Sequence, residues 1–484
     1  MRLAVMTAAW LAVLVSAGGA AAAGIGANDD TGKFAADGGT LFFSQMATLG
    51  LKQSVMTVRF LPSEPTAIPD DEALDRAITV AQFTGLRVTL AVYPYPPHQI
   101  EDGTARPAAF AAWLTLLANR YPTVKQYVVM NEPNQPAFLR PQFDARGANV
   151  SAAKAGRFLA GAYDALKSVD PKIKVIGLGL SPRGNDRPTA ISNVSTSPIR
   201  FLEALGAWYR QSGRTKPLMD SLSFHPYPFK ASDSPEKRYR WPNAGFANLD
   251  RIKQAIWDAF RGTAQLTTAN GLKLYLDEVG WQVDTRGLKG YTGVENVQVT
   301  DARTQARVYS RLIHMAACDG QIAEVNIFGF YDDAPRDSGF QAALYEVDGT
   351  PRPSAGAVRA AIAQSGCSKT PVVWHPATRV VGAVRPDWVL RPDRTVVHFD
   401  AAADEGAWVV ACLLPGQLGG IAAERAMKAR TRTSPGCTGG EALPARPVRV
   451  RLERSSPLGP VTVAVRLVAE GSDRRVSTFS RTFS

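Results

Sequence analysis

From Gly24 onward, short apolar or β-branched runs alternate with longer stretches whose apolar positions recur at helical spacing. Eight such runs can be counted: Gly24 to Ala27, Val55 to Phe60, Arg87 to Val92, Gln126 to Met130, Lys174 to Leu178, Ser221 to Phe224, Lys273 to Leu276 and Glu324 to Phe328. Helical patterns lie between them, for example Asp71 to Phe83, Ala108 to Arg120, Ala152 to Ser168, Leu249 to Phe260 and Asp301 to Ala317. Strands that alternate with helices predict βα units and a mostly parallel sheet. Eight units fit an α/β chain closed into a (β/α)8 TIM barrel with inserted loops. An open doubly wound sheet is the alternative, but no GxGxxG turn follows the first run, and Gly24-Ile25-Gly26 is too short to supply one. After the eighth run, Pro351-Arg352-Pro353 introduces a last helix, Ala355 to Ala363, which closes the barrel.

Beyond Cys367 the pattern changes. Alternating stretches such as Thr395-Val396-Val397-His398-Phe399, Trp408-Val409-Val410-Ala411-Cys412 and Val461-Thr462-Val463-Ala464-Val465 are separated by Pro, Gly and Asp, which predicts a small C-terminal β-sandwich. The expected division is a barrel over residues 24–367 and a sandwich over 371–484, and a chain of 484 residues exceeds the usual limit for one core. The sandwich is either a carbohydrate-binding module or a packing domain that covers barrel helices.

The first 23 residues carry one early charge, Arg2, an apolar run from Leu3 to Val15, and small residues through Ala21-Ala22-Ala23. That is the layout of a cleaved secretory signal. The apolar part is shorter than the roughly 20 residues of a membrane-spanning helix, so export without integral membrane association is expected. An even count of cysteines suits export. Cys318, Cys367, Cys412 and Cys437 show neither CxxC pairs nor histidines at zinc-ligand spacing. Their order suggests Cys318 with Cys367 and Cys412 with Cys437, the other pairings staying open. The net charge of +12 is spread along the chain without a dense basic run, so no nucleic-acid partner is expected, whereas an anionic cell-wall material or acidic polysaccharide is compatible with it. The sequence implies no metal and no organic cofactor.

Two strand ends carry candidate chemistry. In Tyr127-Val128-Val129-Met130-Asn131-Glu132-Pro133-Asn134 an apolar strand runs directly into a carboxylate, and strand C-terminal ends line the mouth of such a barrel. Desolvation there raises a carboxyl pKa, as a general acid requires. The plainer reading of Asn-Glu-Pro is an ordinary helix-starting turn. The second is Leu274-Tyr275-Leu276-Asp277-Glu278-Val279-Gly280-Trp281. Cleaving an acetal with retention of configuration needs two carboxyls about 5–5.5 Å apart, one attacking the anomeric carbon while the other shuttles a proton. A salt-bridged strand end is the plainer reading of Glu278, and a partner to a loop amide that of Asp277.

With Asn131-Glu132-Pro133 after the fourth strand and Glu278 after the seventh, residues Gly24 to Gln364 resemble clan A glycoside hydrolases, families 5 and 39 above all. The resemblance implies a (β/α)8 fold and double displacement on a poly- or oligosaccharide, with Glu132 as acid/base, Glu278 as nucleophile and Asn131 as donor to the sugar 2-hydroxyl. It further implies substrate-site roles for Arg59 near the end of the second strand and for His225 and Tyr227 in His225-Pro226-Tyr227 after the sixth. Chemically, Arg59 suits holding the nucleophile ionised, Tyr227 suits donating to the same carboxylate, and His225 suits a sugar hydroxyl or the acid's proton traffic. A structural ion pair, barrel packing and a satisfied core histidine are the respective alternatives.

Tyr93, Tyr95, Trp281, Phe328 and Tyr331 follow the third, seventh and eighth strands, where aromatic faces either stack on sugar rings or pack. One departure stands out. Family 5 usually carries a tryptophan after the eighth strand, and this chain reads Asn326-Ile327-Phe328-Gly329-Phe330-Tyr331, which favours a family 39-like or divergent enzyme over a standard cellulase. The loops Arg183 to Arg200, Lys230 to Asn243 and Val283 to Asn296 are expected to shape the subsites. Two other functions compete: a non-catalytic glycan-binding or cell-envelope protein that keeps the barrel without productive geometry, and a transglycosylase that uses the same residues.

Overall fold

The computed structural model describes residues 23–295, 297–364, 366–367, 371–380, 382–390, 396–443, 446–454, 459–470 and 475–483. The expected export signal falls almost entirely on residues 1–22, outside them. Among the described residues, eight strands pair in parallel in chain order: β1 (Gly24–Asn28), β2 (Gln53–Phe60), β3 (Arg87–Pro94), β4 (Gln126–Val129), β5 (Lys174–Leu180), β6 (Ser221–Phe224), β7 (Lys273–Val279) and β8 (Ile322–Phe328). β8 pairs back onto β1 and closes the barrel. Each expected run overlaps one of these strands, and the (β/α)8 architecture is the one observed.

The two-residue period of a strand sorts its side chains between two cores. Met56, Val58 and Phe60 of β2 and Leu90 and Val92 of β3 point outward into the layer beneath the helices. Val55, Ala91, Val128, Ile176 and Tyr275 form a separate cluster inside the barrel. The Tyr275 hydroxyl accepts a hydrogen bond from Gln53 Nε2 at 2.7 Å and meets Thr89 Oγ1 at 3.1 Å, which satisfies its polar end within that interior. By the same parity Arg59, Tyr93, Ser223, Asp277, Asn326 and Phe328 continue the inward rows towards the strand C-termini, where the mouth opens.

The helix Pro107–Arg120 shows how the outer layer is held. Pro107 opens it and apolar residues at helical spacing face the barrel. Trp113, fully buried, packs on Phe60 at 5.5 Å between ring centroids and on Phe110 at 5.9 Å, while its indole N–H donates to Ala67 O at 2.8 Å. Removing such a side chain typically costs about 3–5 kcal/mol.

The C-terminal strands are β9 (Gly382–Leu390), β10 (Val396–Ala403), β11 (Ala407–Pro415), β12 (Cys437–Ala442), β13 (Val448–Glu453), β14 (Val461–Ala469) and β15 (Val476–Phe483). They form two antiparallel sheets, β13-β10-β9 and β12-β11-β14-β15, around a core that includes Val397, Phe399, Val409, Val463 and Leu467. This is the expected sandwich; Thr395, placed in one of its strands by the sequence, lies outside the described residues. A short helix, Gly420–Met427, was not expected and sets Ala423 and Met427 against Cys412, Leu414 and Ala464. Both suggested disulfides are formed, Cys318–Cys367 and Cys412–Cys437. The sandwich lies against barrel helices through Arg475, which reaches Asp258 at 2.7 Å and Glu405 at 2.5 Å, and through Arg200, which reaches Glu441 at 2.8 Å and Glu470 at 3.3 Å. Among the described residues no helix is long and apolar enough to cross a membrane.

Candidate active site

Three strand ends depart from regular backbone where the barrel opens. After β4, Met130 (φ 72°) and Glu132 (φ 36°) both adopt left-handed conformations that cost energy in a non-glycine residue. They are held by Met130 N–H donating to Val92 O at 2.9 Å and Glu132 N–H donating to Gly179 O at 2.9 Å. At the end of β5, Leu178 (φ 89°) and Gly179 (φ 55°) break the pairing with β6. A side chain at Gly179 is excluded twice over, by its φ and because a Cβ there would stand 2.8 Å from His225 Nε2.

The third irregularity aims Glu278. On strict alternation, Tyr275 and Asp277 point into the barrel and Glu278 points away. The register between β7 and β8 shifts between Leu276 and Val279, and this bulge turns Glu278 back into the mouth, a use of bulges common beside functional sites. Asp277 and Glu278 therefore both face inward, with Asp277 the more deeply buried at 1 % side-chain exposure against 15 %. Gly280 completes the turn; a Cβ there would meet Phe340 at 2.8 Å and Ala342 at 3.0 Å.

His225 stands at the centre. Its backbone N–H donates to Leu180 O at 2.9 Å, and its fully buried ring brings Nδ1 to 3.2 Å from Glu132 Oε1 and 3.4 Å from Glu278 Oε2. On the other side Nε2 lies 3.2 Å from Asp277 Oδ1, close enough for an ion pair but not aligned as a hydrogen bond. The Ser223 hydroxyl donates to the same Asp277 oxygen, and Tyr227 donates its hydroxyl proton to Glu278 Oε2 at 3.1 Å.

The electrostatics follow from this crowding. Burial pushes the Glu278 carboxyl up to about 7; the His225 ring opposes the rise, Asp277 and Glu132 add to it, and the Tyr227 hydroxyl opposes it. Burial alone would lower the pKa of His225, but Glu278 and Asp277 outweigh it and hold the ring well above the usual histidine range. The Tyr227 hydroxyl is pushed up by burial and by the two glutamates.

A cleft of about 670 Å³ opens over these groups; Asn131, Glu132, Tyr227, Glu278 and Phe328 line it. Glu132, Glu278, Asn131, His225, Tyr227 and Phe328 are thus brought together. Other candidates are placed differently. Arg59 forms no ion pair with Glu278; its Nε donates to the Tyr93 hydroxyl at 3.3 Å and its guanidinium lies 4.6 Å from the centroid of the Tyr95 ring. Tyr93 is buried with its ring edge-on to Phe138 at 5.8 Å, whereas Tyr95 stays exposed. Trp281 is buried at 1 % exposure, packs on Tyr309 at 6.2 Å and donates its indole N–H to Asp233 O at 2.7 Å, which leaves no open ring face for a sugar. Tyr331 packs among Phe42, Phe330 and Tyr345 with its hydroxyl on Gln45.

Several lining residues had no local sign in the sequence. Phe340, from the loop after β8, packs on Phe328 and Tyr227, each at 5.5 Å, and Phe229 stacks flat on Tyr239 at 3.8 Å. Two of the expected loops supply lining residues, Arg183 and Lys230, while Gln282, Val297 and Gln298 line the cleft just outside the third. Asp277, expected from the sequence as a partner to a loop amide, has the Ser223 hydroxyl and the His225 ring as its side-chain neighbours instead. Among the described residues no group of three or more His, Cys, Asp or Glu side chains is placed to hold a metal ion.

No protein-family model and no curated protein matches this sequence. Solved structures with a similar backbone include a family 39 glycoside hydrolase from the gut symbiont Bacteroides cellulosilyticus WH2, at 14% identity over 89% of this chain and 80% of that one, with a TM-score of 0.47. A GH5_18 protein from Streptomyces cattleya, solved with GlcNAc, matches at 16% identity over 74% and 83% with a TM-score of 0.49. The exo-beta-1,4-mannosidase Op5Man5 from Opitutaceae bacterium strain TAV5 matches at 15% identity over 71% and 59% with a TM-score of 0.43.

Proposed function

We propose that the chain is an exported, retaining glycoside hydrolase that cleaves a poly- or oligosaccharide by double displacement. One observation carries the reading: Glu132 Oε1 and Glu278 Oε2 lie 3.2 Å and 3.4 Å from the same His225 nitrogen. Their separation is therefore at most the two contacts laid end to end, 6.6 Å, and it is shorter for any bent arrangement. Retaining enzymes hold their carboxyls about 5–5.5 Å apart, whereas inverting ones leave roughly 6.5–9.5 Å for a water. The cleft of about 670 Å³ is of a size that takes a few sugar rings, and the two disulfides accord with an oxidising destination.

In the first step Glu278 Oε attacks the anomeric carbon as the bond to the glycosidic oxygen breaks, and Glu132 gives its proton to that oxygen. A glycosyl ester of Glu278 and an ionised Glu132 result. In the second step Glu132 takes a proton from water, the water oxygen bonds to the anomeric carbon, and Glu278 leaves as carboxylate. Tyr227 steadies Glu278 by its hydrogen bond. Phe328 and Phe340, packed together on the cleft wall, offer an aromatic surface where a sugar's apolar face can rest. Proton NMR of the first-formed product from an aryl glycoside tests the stereochemistry: the retained anomer is expected, and the inverted anomer would refute double displacement.

A further inference from the structure

Asp277 is a carboxylate in the barrel interior at 1 % side-chain exposure. Among the described residues no lysine or arginine forms an ion pair with it. Its side-chain neighbours are the Ser223 hydroxyl and His225 Nε2, the latter at 3.2 Å. A charge so far from water is tolerated only when another charge answers it, and the one group in reach able to become a cation is His225.

The opposite nitrogen of that ring meets carboxylate as well, with Glu132 at 3.2 Å and Glu278 at 3.4 Å. A neutral imidazole has one N–H and one lone pair, so with the proton on Nδ1 a lone pair would face Asp277, and with it on Nε2 a lone pair would face Glu278 even when Glu132 carries the proton it is to donate. Protonation at both nitrogens removes that conflict. The groups that face the ring are Asp277 and Glu278 from β7, Glu132 from the end of β4, Gly179 from β5 and the Tyr227 ring, edge-on at 6.3 Å. Arg59, the cation that the sequence suggested for the nucleophile, is turned onto Tyr93 and Tyr95.

We infer that Asp277 is a positioning residue that keeps His225 as an imidazolium, so that the cation serving the two catalytic glutamates comes from the end of β6 and not from the arginine of β2. The purpose rests on the hydrolase reading; the protonation state does not. Double displacement moves one negative charge from Glu278 to Glu132 and back. Nδ1–H lies within 3.4 Å of an oxygen of each, so one stationary donor follows that charge through both steps. The direction of the pKa shifts agrees, since Asp277 and Glu278 hold His225 up and His225 holds Glu278 down.

The test is nitrogen-15 NMR of the full chain carrying labelled histidine. There are five histidines, and His225 is assigned by the signal lost in His225→Gln. Doubly protonated nitrogens are expected for His225 at pH 7 in the unsubstituted protein. In Asp277→Asn, an isosteric change, its pKa is expected to fall by about one to three units. A neutral His225 at pH 7 in the unsubstituted protein, or a titration that Asp277→Asn leaves unmoved, would overturn the inference. Should Asp277→Asn not fold, Asp277→Glu decides: a folded protein with a cationic His225 upholds the charge role, and a second failure to fold overturns it. Because the measurement needs no substrate, it reads the same way even if no glycoside is turned over.

Discussion

The Tyr227 hydroxyl donates to Glu278 Oε2 at 3.1 Å, on the oxygen that also lies 3.4 Å from His225. A hydrogen bond to a charged group contributes about 1.5–3 kcal/mol, so Tyr227→Phe is expected to lower kcat/KM by roughly 10- to 150-fold with the fold intact. Steady-state kinetics on an aryl glycoside, with circular dichroism as control, checks it. An unchanged kcat/KM would remove Tyr227 from the chemistry.

Acid should silence the enzyme early. The nucleophile acts only when ionised, and burial pushes the Glu278 carboxyl up to about 7 against the opposing His225 ring. Free-enzyme kcat/KM is therefore expected to fall as pH drops through about 7. Tyr227→Phe removes a hydrogen bond that favours the carboxylate and should move this limb to higher pH. A profile flat down to pH 5 would contradict the assignment.

Replacing Glu132 should cost most where the leaving group needs a proton. Glu132→Ala is expected to lose roughly 10²–10⁴-fold on alkyl glycosides or natural linkages, and much less in the first step with a dinitrophenyl leaving group. A leaving-group series measured in both proteins gives the comparison. Equal losses along the series would speak against the acid role.

The loop that follows β8 is pinned by a buried ion pair between Arg352 and Asp332, with side-chain exposures of 1 % and 0 %. Asp332 also accepts from the Tyr291 hydroxyl at 2.7 Å. Arg352→Met leaves that carboxylate unanswered and is expected to destabilise the barrel by about 3–5 kcal/mol, while the double change Arg352→Met, Asp332→Leu recovers much of the loss. Calorimetric unfolding of the three proteins decides it; a double variant no better than the single one would show that charge is not the cause.

Where the sandwich meets the barrel, burial raises Glu470 to about 7 and Asp258 to about 6. Each folded-state pKa lies above the unfolded value, so the folded form holds these protons more tightly. Their contribution is complete below the ordinary carboxylate range and is lost as pH rises through about 6 to 7. Glu470→Gln should flatten the fall in the unfolding midpoint between pH 5 and 8. An unaltered pH dependence would assign the fall to other groups.

The barrel was legible because a run such as Val88 to Val92 is buried on both faces and reads as a nearly continuous apolar stretch. Glu132 and Glu278 were legible because each ends such a run. What no local pattern announces is direction. Glu278 reaches the mouth only through the β7 bulge, and the turn of Arg59 towards Tyr93 and Tyr95 depends on neighbours from another strand. Trp281 and Tyr331 sit beside strand ends as a sugar platform would, yet Trp281 is buried against Tyr309 and Asp233, and Tyr331 packs among Phe42, Phe330 and Tyr345. Phe340 takes a place on the cleft wall from a loop whose sequence carries no periodicity.

Chemical rescue of the nucleophile is the most direct measurement of all. With Glu278→Ala, hydrolysis of a dinitrophenyl glycoside is expected to fall by several orders of magnitude, and added azide is expected to restore turnover by attacking the anomeric carbon from the vacated side, giving a glycosyl azide of configuration opposite to the substrate. Full activity in Glu278→Ala, or rescue that yields an azide of unchanged configuration, would contradict Glu278 as the nucleophile.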